Sequence, residues 1–220
     1  MEIQQRSACL PLIDALPIVT HCLKCANKNH VIAIAVMAWF LYGPVHADTT
    51  NFASKAFASG DTQGKTFAVI DKMAATVSLY NAKGKLIAVS PVLLGQAKGD
   101  HSVPGIGTRL MADIAPHERT TPAGRFASEP GKTLTGQTVV WIDYEAAVSM
   151  HKLRPSDPTE RRPERMSTPT SDDNRITYGC VNVPVEFFER WILPTLGQNS
   201  GVIYVLPEMQ PARKQFVFLR

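Results

Sequence analysis

Cys180 is the residue from which chemistry can be read most directly in this chain. The sequence holds four cysteines in 220 residues. Cys9, Cys22 and Cys25 precede an apolar run at residues 31–42, and Cys180 stands alone far beyond it in the stretch Thr177-Tyr178-Gly179-Cys180-Val181-Asn182. A thiol with no disulfide partner is either a small buried apolar residue or a reactive nucleophile, and the residue alone leaves both open. Its setting supplies what a nucleophile needs. Gly179 lets the backbone turn closely beside it. Thr177 places a hydroxyl three positions before it, and Pro184 signals a helix start after it. His151, upstream, is a candidate base.

A cysteine that attacks a carbonyl needs a group to take its proton, donors for the oxyanion that forms, and a partner that orients the base. The backbone N–H groups of Gly179 and Cys180 are candidate oxyanion donors. His151 falls at the end of a strand-like segment, a rigid place from which to aim a catalytic group. His101 and His117 lie in polar, Gly/Pro-containing sequence and are expected at the surface.

The apolar run at 31–42 (VIAIAVMAWFLY) is preceded by Lys24, Lys28 and His30 and followed by Val45-His46-Ala47, with small residues at the −3 and −1 places. This order is that of a secretory leader, with an unusually long charged region, and places cleavage after Ala47. The run is shorter than the roughly 20 residues a helix needs to cross a bilayer, so no stable membrane insertion is expected after cleavage. Export would put Cys180 in an oxidising compartment, the periplasm or cell envelope. Cys22-x-x-Cys25, with His21 and His30 nearby, lacks a second ligand pair at finger spacing, so no metal is expected, and no cofactor either. The net charge of +4 is mild. Arginines without interleaved aromatic residues argue against nucleic acid as a partner.

Residues 48–64 are small and polar and read as a linker. Residues 67–71 (FAVID) and 76–80 (TVSLY) read as strands, with a turn at 81–84 and a further strand over 85–94. Thr121-Pro122-Ala123-Gly124-Arg125-Phe126 marks a turn entering another strand. Segments 139–142 and 146–150 are two more, and 201–206 a last one. Residues 184–196 read as an amphipathic helix, with Val185, Phe188, Trp191 and Ile192 on one face. Residues 152–174 are polar, proline-rich and arginine-rich, and read as a long loop. Residues 208–220 are assigned as a tail. The predicted fold is mainly β, a β-sandwich or partly closed barrel with one or two short helices and a long loop between His151 and Cys180.

These segments resemble, in order, the catalytic domain of the L,D-transpeptidases (YkuD-like). Residues 177–182 resemble its Ser/Thr-x-Gly-Cys-apolar-Arg/Asn signature. Residues 121–126 resemble its Thr-Pro-x-Gly-x-Phe element, Met150-His151 its strand ending in the catalytic histidine, and 91–95 its strand ending in glycine. The opening hairpin and the final strand agree too, so the resemblance covers about 65–207. It implies an enzyme of peptidoglycan that forms an acyl-enzyme on Cys180 from a stem tetrapeptide and passes it to an amine. It further implies His151 as base, the Lys152 carbonyl as its orienting partner, Gly179 and Cys180 as oxyanion donors, and Thr177 as a brace for the cysteine loop. Relatives often carry glycine where Lys152 stands, and the 152–174 segment is longer than usual, which suggests a lid.

Stem peptides carry carboxylates, which arginine binds in a bidentate fashion. Arg154 and Arg175, flanking the 152–174 segment, are therefore expected as substrate contacts, with Tyr178 and Asn182 beside them. Arg161, Arg162 and Arg165 are expected in solvent. A cysteine hydrolase of stem peptides (an L,D-carboxypeptidase or amidase) would share the acyl-enzyme and differ in using water. A non-catalytic wall-binding envelope protein with a buried Cys180 is the reading from another class.

Overall fold

Strand β1 (Phe67–Asp71) is apolar at four successive positions because both of its faces are covered. Ala68 and Ile70 point into one hydrophobic core, and Phe67 and Val69 into a second on the opposite face. A strand sandwiched in this way reads as a continuous apolar run rather than an alternating one. The computed structural model describes residues 48–220. The expected leader at 1–47, with its cleavage place and its three cysteines, lies outside the described residues.

After β1 come β2 (Thr76–Tyr80), β3 (Leu86–Pro91), β4 (Leu94–Gly95), β5 (Gly124–Lys132), β6 (Thr138–Asp143), β7 (Val148–Lys152), β8 (Arg175–Thr177), β9 (Val181–Val183) and β10 (Gly201–Val205). Eight of them form one mixed sheet in the order β3-β2-β1-β10-β5-β6-β7-β9, and β4 pairs with β8 separately. The sheet nearly closes on itself. Leu93, just past β3, exchanges two backbone hydrogen bonds of 2.9 and 3.0 Å with Asn182 on β9, the strand at the other end of the order. Side chains from both ends share one core, including Val77 and Leu79 of β2 and Met150, Val181 and Val183 of β7 and β9. The protein is thus mainly β with a nearly closed barrel-like sheet, as the sequence predicts.

Residues 48–58, within the segment expected as a linker, are helical (α1). Phe52, Ala53 and Ala56 form one face of α1 and pack on Phe67, Tyr80 and Tyr204 in the second core. The C-terminal stretch joins them: Phe216, 3 % exposed, packs edge-on to Phe52 at 4.9 Å between ring centres. The region 152–174 is also more than a loop, holding helix α2 (Arg162–Ser167) and two short 3-10 turns. The helix expected over 184–196 is α-helical only at α3 (Val185–Phe187) and widens into a π-helix over Phe188–Ile192. Its i→i+5 bond from Leu193 N–H to the Phe188 carbonyl is 2.7 Å. The short helix α4 (Ala212–Gln215) follows β10.

A buried ionic cluster ties remote segments together. Lys72 has no exposed surface; its ammonium lies 2.9 Å from Asp100 and 3.3 Å from Glu208. Arg175 pairs with Glu208 at 2.5 Å and donates to the Lys72 carbonyl at 2.9 Å. Two cations and two carboxylates balance, which burial requires.

Candidate active site

β7 and β9 run parallel, with Met150 beside Val181 and His151 beside Asn182. Alternation along a strand then sorts the side chains. Met150, Val181 and Val183 enter the core. Ser149, His151, Cys180 and Asn182 share the opposite face, and all but Cys180 are buried. Cys180 is a free, partly exposed thiol. Its Sγ is approached by the Ser149 N–H at 3.5 Å and the Ser149 hydroxyl at 3.7 Å, and lies 3.7 Å from the Ala147 carbonyl.

The turn that presents Cys180 is held from both sides. The Thr177 hydroxyl accepts from the Gly179 N–H at 3.1 Å and donates to the Cys180 carbonyl at 2.6 Å. The Thr121 hydroxyl donates to the Gly179 carbonyl at 2.8 Å and accepts from the Gly95 N–H at 2.9 Å. Lys72 in turn holds the Thr121 carbonyl at 3.0 Å, so the ionic cluster anchors the residue that anchors the turn. Gly179 has φ of 130°, and a Cβ there would lie 2.7 Å from the Thr120 carbonyl oxygen. Both facts demand glycine. Because the Gly179 N–H is taken by Thr177, it is not free to receive an oxyanion, against the expectation from sequence. The Cys180 N–H has no acceptor among the described residues and is available for that role.

His151 is 9 % exposed. Its Nδ1 lies 2.9 Å from the Lys152 carbonyl and its Nε2 3.1 Å from Asn182 Nδ2. Burial pushes the imidazole down, and the Arg154 and Arg162 charges add to this against the Lys152 hydrogen bond, bringing it to about 4. His151 is therefore neutral near pH 7, a base rather than a cationic partner for a thiolate. Its Nε2 is engaged with Asn182 and not with Sγ.

The expected substrate contacts are placed differently from one another. Arg175 is buried against Glu208 and the Lys72 carbonyl and serves the ionic cluster, where sequence reasoning expected a ligand carboxylate. Asn182 is 1 % exposed and committed to His151 and to Arg162 Nη1 at 2.9 Å, so it is a partner of the histidine and not of a substrate. Tyr178, two residues before Cys180, has the Arg119 guanidinium 3.9 Å over its ring. Arg154 has no hydrogen-bond partner among the described residues and borders two cavities of about 340 and 300 Å³, neither of them lined by His151 or Cys180. Arg162, expected in solvent, is engaged with Glu160 at 2.7 Å as well as with Asn182. Its role depends on a contact twenty residues away in sequence that no local pattern announces. Thr121 carried a signal, the Thr-Pro-x-Gly box, without a reading of what its hydroxyl does.

No group of three or more His, Cys, Asp or Glu that could hold a metal occurs among the described residues. No helix among them is long and apolar enough to cross a membrane.

No family model matches this chain, and no curated protein matches it. Solved structures similar to it include the catalytic domain of an L,D-transpeptidase from E. faecium (18 % identity, 65 % of this chain and 98 % of that one, TM-score 0.36). A second is the LD transpeptidase LdtMt1 in complex with imipenem (14 % identity, 64 % of this chain and 58 % of that one, TM-score 0.36). A third is the helical cell shape determining protein Pgp2 from Campylobacter jejuni (14 % identity, 66 % of this chain and 48 % of that one, TM-score 0.40). The chain thus spans about half to three-fifths of the length of the latter two. A similarity of this size says nothing about which residues act or on what.

Proposed function

We propose that this chain is a cysteine-dependent acyltransferase of the cell envelope, an L,D-transpeptidase acting on peptidoglycan stem peptides. In this reading it is exported by a leader removed after Ala47. The observation that carries the reading is the shared face of β7 and β9. A partly exposed thiol in a braced glycine turn shares that face with a neutral histidine whose Nδ1 is oriented by a backbone carbonyl. The sequence signature around Cys180 supplies the substrate class.

The chemistry follows from these groups. Cys180 Sγ attacks the carbonyl carbon of the stem L,D peptide bond, and its proton goes to His151 Nε2. Nε2 must leave Asn182 to receive it, because Sγ and Nε2 are engaged elsewhere in the resting arrangement. The oxyanion is received by the Cys180 N–H. As the C–N bond breaks, His151 returns the proton to the departing D-alanine nitrogen and the thioester remains. An acceptor amine then attacks the thioester, losing its proton to His151, and Cys180 recovers its thiol. In this reading Arg154, which borders two cavities, takes a stem carboxylate.

Incubation with a stem tetrapeptide and intact-mass measurement tests this. The expected result is an adduct on Cys180 with release of D-alanine, converted to a new amide when an amine is added. Tripeptide alone, with amine present, would assign the hydrolase reaction instead. A folded protein that forms no adduct overturns both enzymatic readings in favour of a wall-binding role.

A further inference from the structure

The imidazole of His151 sits in a row of hydrogen bonds whose direction is dictated at both ends. A guanidinium has donors and no acceptor. Arg162 Nη1 lies 2.9 Å from Asn182 Oδ1, so the oxygen of that amide is the atom turned to Arg162. The amino end then faces His151, with Nδ2 3.1 Å from Nε2, and can only donate. Nε2 is therefore an acceptor and carries no proton. At the other end the Lys152 carbonyl, 2.9 Å from Nδ1, can only accept, so Nδ1 carries the proton. Outward, Glu160 takes the Arg162 Nε–H at 2.7 Å and holds the guanidinium in place.

We propose that Arg162, clamped by Glu160, is a positioning residue for His151: it fixes the Asn182 amide with its amino end toward the ring, so that the Nδ1–H imidazole set by the Lys152 carbonyl keeps an Nε2 lone pair free of a proton. This rests on the reading of His151 as the base of Cys180. Arg162 belongs to α2, so it also gives the long segment between the two catalytic residues a task, which is to set the state of the base. Protonation of Nε2 would put one N–H against another at Asn182. Turning the amide to relieve this would put its amino group against the guanidinium. Both outcomes oppose the charged imidazole, in the same direction as burial and the surrounding charge. The groups around His151 are Arg154 beyond β7, Glu160 of the 3-10 turn before α2, Arg162 of α2, and Cys180 ahead of β9. The Lys152 ammonium turns outward to Glu189 at 2.7 Å.

Nitrogen-15 spectra of the imidazole in the folded full-length chain test the proposal without any substrate. In the parent, His151 is expected as a single Nδ1–H tautomer with a titration midpoint of about 4. Arg162→Met, which frees the Asn182 amide to turn its oxygen toward Nε2 and accept from the charged ring, should move the titration upward by more than Arg154→Met does, and Arg162→Lys should restore the parent midpoint. Arg154→Met is the control, because it removes a nearby charge that makes no hydrogen bond. It should raise the midpoint and leave the tautomer unchanged. The acidic limb of donor acylation should rise with the midpoint in Arg162→Met. A midpoint in Arg162→Met that rises no further than in Arg154→Met overturns the proposal. Absence of an acyl adduct in the parent, with the spectra as expected, would instead overturn the acyltransferase reading and leave the relay standing.

Discussion

His151 should make this protein lose stability at a pH where most proteins do not. The imidazole is brought from its ordinary 6.5 to about 4 by burial first and then by Arg154 and Arg162. The unfolded chain therefore takes up this proton well before the folded protein does as the pH falls. The contribution is fully present above pH 6.5 and is lost progressively toward pH 4. Linkage sets the size: each unit of difference corresponds to about 1.4 kcal/mol, and integration from pH 7 to pH 5 gives a loss of about 2 kcal/mol. Asp100, Glu118 and Glu208 also titrate below their ordinary values. Carboxylates of this kind withdraw their contribution only below about pH 4.5, outside that window. His151→Gln keeps a donor for the Lys152 carbonyl and an acceptor for Asn182 while removing the titration. Urea denaturation at pH 7 and pH 5, with unchanged slopes, should show the parent losing about 2 kcal/mol more than the variant. Equal losses in both proteins would refute the claim that His151 is buried neutral.

Three further outcomes follow from the same contacts. Cys180→Ala should abolish the stem-peptide adduct while changing stability by less than about 1 kcal/mol, since the thiol is partly exposed and its contacts are long; urea melts and intact mass read the two effects. Lys72→Met leaves Asp100 and Glu208 with Arg175 as their one remaining cation in the cluster and should cost about 3–5 kcal/mol in urea denaturation. Gly179→Ala forces a Cβ to within 2.7 Å of the Thr120 carbonyl at a φ of 130° and should displace the cysteine turn. Donor acylation should then fall by about 10²-fold with a stability loss of about 1–3 kcal/mol, checked by single-turnover mass measurement and urea melts.

β1, β2, β6 and β10 were legible in the amino-acid sequence because their burial is a local pattern. Alternation or an unbroken apolar run over five or six residues announces a strand whatever it packs on. Cys180 and His151 were legible because their residue types and their order in the chain are themselves the signal. β8 and β9, three residues each, were not, since so few positions show no period. The helical character of 48–58 was missed because its small residues match a linker until Tyr204 and Phe216 are there to receive Phe52. The fates of the arginines belonged wholly to the tertiary structure. Arg175 looked free and is buried against Glu208, while Arg162 looked solvated and reaches Asn182. A charged side chain is placed by whichever distant partner compensates its desolvation, and that partner exists only after the chain has folded. Which nitrogen of His151 holds the proton was decided in the same way, by a guanidinium and a carbonyl that meet the ring only through the pairing of β7 with β9 and the fold of α2 beside them.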